Sequence, residues 1–204
     1  MIIAWLIRFV TGIQSRWLGC EPAARQRIYF ANHGSNLDGP TIWASLPGRA
    51  RRACRLVAAR DYWDANPWRR FLAVKVFRAL LIKRGHISRD DNPMDQMTDA
   101  LDGTNDSLII FPEGTRKDHD AEEELNPFKA GLYRLHQRFP EIELVPVYLR
   151  NLSRILPKGE YLPVPVVSSI SFGAPLERVE NETKADFLAR AEAAVLELKE
   201  NEDH

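Results

Sequence analysis

The sequence predicts a single α/β domain with a central mixed β-sheet flanked by helices, preceded by an N-terminal interfacial amphipathic helix. Three observations carry that prediction. A chain of 204 residues buries a sizeable core as one domain without covalent staples. Short apolar runs alternate with helical patterns along most of its length. No internal repeat, low-complexity tract or Gly/Ser linker interrupts the alternation.

The first element is the stretch MIIAWLIRFVTGIQSRWLG, residues 1–19, read as a membrane-associating helix set apart from the domain over residues 20–204. Ile2, Leu6, Phe9, Ile13 and Trp17 recur at helical spacing, and Trp5 and Trp17 suit a headgroup zone. Arg8 interrupts the apolar run, which is shorter than the roughly 20 residues a bilayer crossing needs, and no A-x-A-like cleavage site follows. The plainer alternative is a helix packed on the protein's own core.

Strands are expected at 28–31, 55–59, 80–83, 107–111, 144–149 and 166–172, mostly apolar or β-branched runs of the length of buried strands. Helices are expected between them. Segment 40–46 is short, 66–78 carries aromatics, and Asn92 with Pro93 caps a helix reaching about Leu101. Segments 129–138 and 183–200 complete the set, the last opening on Thr183 and Asp186 in a capping-box-like arrangement.

Net charge is zero, yet the halves differ. Residues 1–89 carry 16 Lys/Arg against 4 Asp/Glu, and residues 90–204 carry 12 against 24. A basic half suits a polyanion, an anionic membrane face or a phosphorylated ligand. The two cysteines, Cys20 and Cys54, have no second Cys or His at metal-ligand spacing and read as structural thiols in a reducing environment.

Two stretches carry polar residues where a strand need only hand over to a turn. In NHGSNLD, residues 32–38, contact between His33 and Asp38 requires Gly34, Ser35 and Asn36 to turn the chain. A carboxylate on one imidazole nitrogen would fix the tautomer and leave the other nitrogen to take a proton from a hydroxyl. The plainer reading makes Asp38 a helix N-cap and His33 a loop residue. In SLIIFPEGTR, residues 107–116, an apolar strand runs into Pro112, Glu113, Gly114, Thr115 and Arg116, a loop whose backbone N–H groups and guanidinium suit a phosphate.

Together these blocks resemble the glycerolipid acyltransferase family, which includes the 1-acylglycerol-3-phosphate acyltransferases. Residues 32–38 look like the family's His-x4-Asp block, and Phe111 to Arg116 like its Phe-Pro-Glu-Gly-Thr-Arg block. Leu81-Ile82-Lys83-Arg84, Phe128-Lys129-Ala130-Gly131 and Val145-Pro146-Val147 fall in the expected order, so the resemblance spans residues 32–147. One block departs from the pattern: Leu81 stands where an aromatic is usual and Ala79 where a glycine is common.

The resemblance implies that His33 is the catalytic base, Asp38 its orienting partner, and Arg84, Glu113, Gly114, Thr115, Arg116 and Lys129 the phosphate-binding set. It also implies direct acyl transfer from a coenzyme A or acyl carrier protein thioester to the sn-2 hydroxyl of 1-acylglycerol-3-phosphate, giving phosphatidate. Backbone N–H groups near Gly34 or at the start of the next helix would meet the oxyanion. Glycerol-3-phosphate, other lysophospholipids and a non-catalytic membrane-surface role are the alternatives. The thioester is a co-substrate, and no cofactor or metal is implied. The expected location is the cytoplasmic face of the cell membrane, peripheral or monotopic, with Trp5, Leu6, Phe9, Ile13 and Trp17 in contact with it.

Arginines interleaved with aromatics over residues 60–78 also describe nucleic-acid binders. No zinc-finger spacing, RNP-type block or helix-turn-helix signature accompanies them, so no nucleic-acid partner is expected. A metal-dependent hydrolase using His33, Asp38, His86 and His119 lacks the required ligand spacing.

Overall fold

The computed structural model describes residues 2–83, 92–116, 125–152 and 168–201. In chain order, α1 (Ile2–Thr11) and β1 (Gln14–Trp17) are followed by β2 (Arg27–Ala31), α2 (Asp38–Ser45) and α3 (Gly48–Arg52). Next come β3 (Cys54–Ala59), α4 (Arg60–Trp63), α5 (Pro67–Phe71), a π-helical turn over Leu72–Val76 and β4 (Leu80–Ile82). The remaining elements are α6 (Pro93–Leu101), β5 (Ser107–Ile110), α7 (Gly131–Arg138), β6 (Glu143–Arg150), β7 (Ser169–Phe172) and α8 (Lys184–Glu200).

The seven strands form one mixed sheet in the order β1-β7-β6-β2-β5-β3-β4, parallel at every junction except β6 with β7. Alternation along each strand splits the core in two. Tyr29, Ala31, Ile109 and Val147 face one side, where α1, α2 and Phe77 cover the sheet. Ile28, Phe30, Leu108 and Leu144 face the other, against Met97 of α6, Leu132 and Leu135 of α7, and Phe187 and Val195 of α8. Every residue of β2 and β5 is buried, as strands covered on both faces must be.

The expected fold class holds. Predicted strands coincide with β2 to β7 within one to three residues at each end, residues 166 and 167 lying outside the described residues. The expected helix over 66–78 divides into α5 and the π-helical turn. Asn66 and Asn92 each accept a hydrogen bond from the backbone N–H two residues on, closing the starts of α5 and α6 ahead of a proline at the first helical position. Thr183 caps α8 by accepting from Asp186 N at 3.2 Å.

The expectation for the N-terminus needs correction. The helix does not run to residue 19. It stops at Thr11, because Gly12 takes φ 57°, the left-handed conformation that ends helices. The chain then enters the sheet as β1, paired in parallel with β7. Ile13 is 8% exposed within the core, and Trp17 stacks on Phe172 with ring centroids 4.0 Å apart. Both were expected on a membrane, and both instead serve the protein's own core. Trp5, Leu6 and Phe9 remain outward on α1 at 65%, 51% and 71% exposure. The alternative of a helix packed on the protein's own core is realised in part, since Ala4 and Ile7 pack inward while α1 lies on α2.

This division is measurable by urea unfolding. Trp17→Ala is expected to destabilise the fold by about 2–3 kcal/mol, below the roughly 3–5 of a fully buried aromatic. Trp5→Ala is expected to change stability by no more than about 0.5 kcal/mol. Equal effects of the two substitutions would contradict the assignment of β1 to the sheet.

Candidate active site

Both motifs emerge at the carboxyl ends of neighbouring parallel strands, where open α/β sheets hold their ligands. β2 delivers Asn32 and His33, and β5 delivers Phe111 to Gly114. Asn32 fastens the first turn to the sheet: its side chain donates to Leu149 O at 2.9 Å and accepts from Leu149 N at 2.8 Å, extending the β2–β6 pairing by one residue.

Asp38 is 1% exposed and stands as the first residue of α2, with Leu37 in the cap position and no side-chain cap bond. Its carboxylate reaches back into the turn instead. Oδ2 accepts from Gly34 N at 2.7 Å, from Ser35 N at 2.7 Å, and lies 2.9 Å from His33 Nδ1. An oxygen already receiving two N–H groups is the acceptor toward the ring, which assigns the imidazole proton to Nδ1 and leaves the lone pair on Nε2. Ser35 Oγ is likewise committed within the turn, accepting from Leu37 N at 3.2 Å. Gly39 lets the first turn of α2 approach β3, since a Cβ there would overlap Leu56.

The second motif supports the first. Phe111 stacks on the His33 imidazole at 4.2 Å between centroids and 22° between planes. Glu113 is 2% exposed, and its two oxygens accept from His33 N at 2.7 Å and Asn126 N at 2.9 Å. Burial raises the Glu113 pKa, and these two N–H groups oppose the shift. Glu113 was expected among the phosphate-binding residues. With both oxygens engaged by backbone inside the protein, it braces the His33 turn and stands apart from the cavity lining beside His33.

A second correction concerns the turn's amides. The N–H groups of His33, Gly34, Ser35, Leu37 and Asp38 all donate within the site, so these amides near Gly34 are not available to an oxyanion.

Beside His33 lies a cavity of about 190 Å³. Leu56, Ala58, Ile82, Met97, Leu132 and Leu135 give it apolar walls, while His33, Asn36, Gly114 and Lys129 contribute its polar part. Gly114 holds φ 72°, and its missing side chain is the space that the Lys129 ammonium occupies. Thr115 is exposed and Arg116 half-buried. Neither Arg116 nor Lys129 is ion-paired among the described residues. Arg84, His86 and His119 lie outside the described residues. Both thiols are raised in pKa, chiefly by burial, and Cys54 is fully buried.

Sequence reasoning missed Asn32, Gly39 and Phe111 as parts of the site, and Glu113 as a brace. The doubled roles of Asn32 and Phe111 depend on neighbours more than 75 residues away, Leu149 and His33. No local pattern signals such contacts.

Comparison with known proteins follows the same lines. Residues 19–150 match the family described as Acyltransferase. A Dictyostelium discoideum protein named Taffazin is 30% identical over 155 residues, covering 70% of this chain and 51% of that protein. A Limnanthes douglasii 1-acyl-sn-glycerol-3-phosphate acyltransferase is 26% identical over 176 residues, covering 86% of this chain and 59% of that protein. The chain thus spans little more than half the length of these curated relatives. The crystal structure of the 1-acyl-sn-glycerophosphate acyltransferase PlsC from Thermotoga maritima shares the fold, with a TM-score of 0.75, 17% identity, all of this chain covered and 78% of that one. Since the family match takes in well over half of the chain and both motif loops, the chain belongs to the acyltransferase family.

Proposed function

We propose that this chain moves a fatty acyl group from a thioester to the free hydroxyl of a lysophospholipid, with the sn-2 hydroxyl of 1-acylglycerol-3-phosphate as its acceptor. One observation carries the reading: an imidazole oriented by a buried carboxylate stands beside an apolar cavity whose polar part holds Lys129. The names of the Limnanthes and Thermotoga relatives support the same acceptor.

In this reading His33 Nε2 takes the proton as the acceptor oxygen attacks the thioester carbonyl. An alcohol is a poor nucleophile near neutral pH, and general-base help of this kind is worth roughly 10²–10⁴ in rate. The tetrahedral intermediate then collapses, the C–S bond breaks, and the departing thiolate takes the proton from His33. The ester and the free thiol account for every atom. Asn36 and Lys129, which line the same cavity, bring donors to the developing charge. Lys129 and Arg116 are cations with no described carboxylate partner, which suits an acceptor phosphate. The phosphate-binding role of Arg84 belongs to the same proposal. Apolar walls suit an acyl chain, and the donor carrier is either coenzyme A or acyl carrier protein.

The acceptor resides in a membrane, and the outward Ile2, Trp5, Leu6 and Phe9 of α1 suit association with its surface. Among the described residues no helix is long and apolar enough to cross a bilayer. We propose peripheral or monotopic association with an anionic membrane face, as expected for an enzyme of phospholipid biosynthesis.

The test is transfer of labelled palmitoyl from its coenzyme A thioester, and in parallel from acyl carrier protein, to 1-acylglycerol-3-phosphate in mixed micelles. Wild type is expected to form phosphatidate and His33→Ala to lose roughly 10²–10⁴ of the rate while keeping its fold by circular dichroism. A folded, fully active His33→Ala chain would sink the mechanism.

Glu113→Gln separates a brace from a ligand contact. Glutamine keeps one acceptor oxygen but turns an N–H₂ group toward a backbone N–H, so the His33 turn shifts. The expected result is a fall in kcat of about tenfold to 10² with the acceptor KM unchanged, because misplacing a catalytic group costs rate. A raised KM with kcat intact would instead return Glu113 to the phosphate site.

A further inference from the structure

We infer that α5 and the π-helical turn behind it form a second membrane-contact surface, distinct from α1 and set at the rim of the cavity. The inference rests on the reading that the acceptor is a membrane lipid, and it names the part of the chain that meets the bilayer beside the site.

Trp68, Phe71 and Val74 are 76%, 51% and 41% exposed, and they recur every third residue along one side of α5 and its continuation. The opposite side is committed to the core through Ala73 and Phe77, at 0% and 3% exposure. A helix with one side already buried ordinarily turns polar residues outward. Among the described residues, every exposed large apolar side chain except Val179 belongs either to this row or to the row on α1. Both rows also stand on the same layer. Ile7 of α1 packs into the core cluster that holds Trp63, Leu72, Val76 and Phe77, whereas α6, α7 and α8 cover the other face of the sheet.

Contacts tie this row to the cavity. Tyr62 and Trp63 of α4 line it. The Arg69 guanidinium lies 4.5 Å over the Tyr62 ring, and Trp63 meets Phe77 edge-on at 5.9 Å. The segment that carries the exposed aromatics is thus anchored on the two cavity-lining aromatics, through Arg69 on Tyr62 and Phe77 on Trp63.

The chemistry favours lipid over an acidic carrier protein. Arg70 is paired with Asp64 at 2.6 Å, and Arg78 with Asp106 at 2.8 Å, while Arg69 covers Tyr62. The guanidinium groups nearest the row are thus engaged within the chain, and apolar side chains dominate what it presents. Positive charge for anionic headgroups comes from the same layer, where Arg8 and Arg52 neighbour Arg51, whose own guanidinium donates to Ala44 O at 3.2 Å and lies 5.3 Å over the Trp43 ring. Burial first, and then Arg8 and Arg52, push the Arg51 guanidinium below its ordinary range. Apolar residues bordered by arginines describe an interfacial surface.

The test uses the full chain with Cys20→Ser, Cys54 being fully buried, and an environment-sensitive nitrobenzoxadiazole dye on Phe71→Cys or, as a control on α8, Ala193→Cys. Vesicles of phosphatidylcholine and phosphatidylglycerol are added, and bound protein is measured by sedimentation. The dye at position 71 is expected to shift to the blue while that at 193 does not, and Trp68→Ser with Val74→Ser is expected to weaken partitioning by about tenfold or more. Vesicle binding with no response at 71, no vesicle binding at all, or a response at 71 to acyl carrier protein but not to lipid would each overturn the inference. None of these measurements depends on turnover. A chain that embeds position 71 yet forms no ester would overturn the proposed reaction and uphold this surface.

Discussion

Oδ2 of Asp38 gathers His33 Nδ1, Gly34 N and Ser35 N within 2.7–2.9 Å, and the shape of the site follows from that convergence. Hydrogen bonds to an ionised oxygen are short and strong, and in a buried position they fix both the backbone that donates and the ring that faces it. The turn between β2 and α2 is therefore wound around a side chain that belongs to the helix itself. That winding explains why α2 begins without a side-chain cap and why the imidazole turns Nδ1 toward Asp38, leaving Nε2 on the other side of the ring.

The second loop is subordinate to this centre. Phe111 covers the ring, and Glu113 holds the amide of His33, so a loop 80 residues further along the chain sets the angle of the imidazole. The two loops are thereby joined in one hydrogen-bonded and stacked assembly. Among the described residues, the polar side chains that line the apolar cavity are correspondingly few, namely His33, Asn36 and Lys129 beside Tyr62. The proposed membrane contact lies outside this assembly, where Tyr62 and Trp63 line the cavity and Arg69 of α5 lies over the Tyr62 ring.

Much of this architecture was readable from local pattern. The apolar runs of β2, β5 and β6 match the demand of a sheet buried on both faces, and Asn92, Pro93 and Thr183 announced helix starts that the backbone adopts. The approach of His33 to Asp38 was readable too, because the intervening residues are turn formers. Two things were hidden for physical reasons. Ile2, Leu6, Phe9, Ile13 and Trp17 fit a helical period across a boundary that is not helical, and Gly12 alone carried the contrary sign. Glu113 stands between a proline and a glycine in a loop suited to phosphate, and nothing local indicates whether a carboxylate there points outward or in. The partner that decides it, the amide of His33, is a tertiary neighbour.

General-base chemistry at His33 depends on which imidazole nitrogen holds the proton. Nitrogen-15 correlation spectra of the five histidines, with His33 identified by loss of its signal in His33→Gln, read this directly. In alkaline solution, where the ring is neutral, the contact with Asp38 predicts a protonated, pyrrole-like Nδ1 and a pyridine-like Nε2 on His33. A neutral ring with the proton on Nε2 would contradict this, because its lone pair would lie on Nδ1 against Asp38 and none would remain on Nε2 to take a proton from an acceptor hydroxyl.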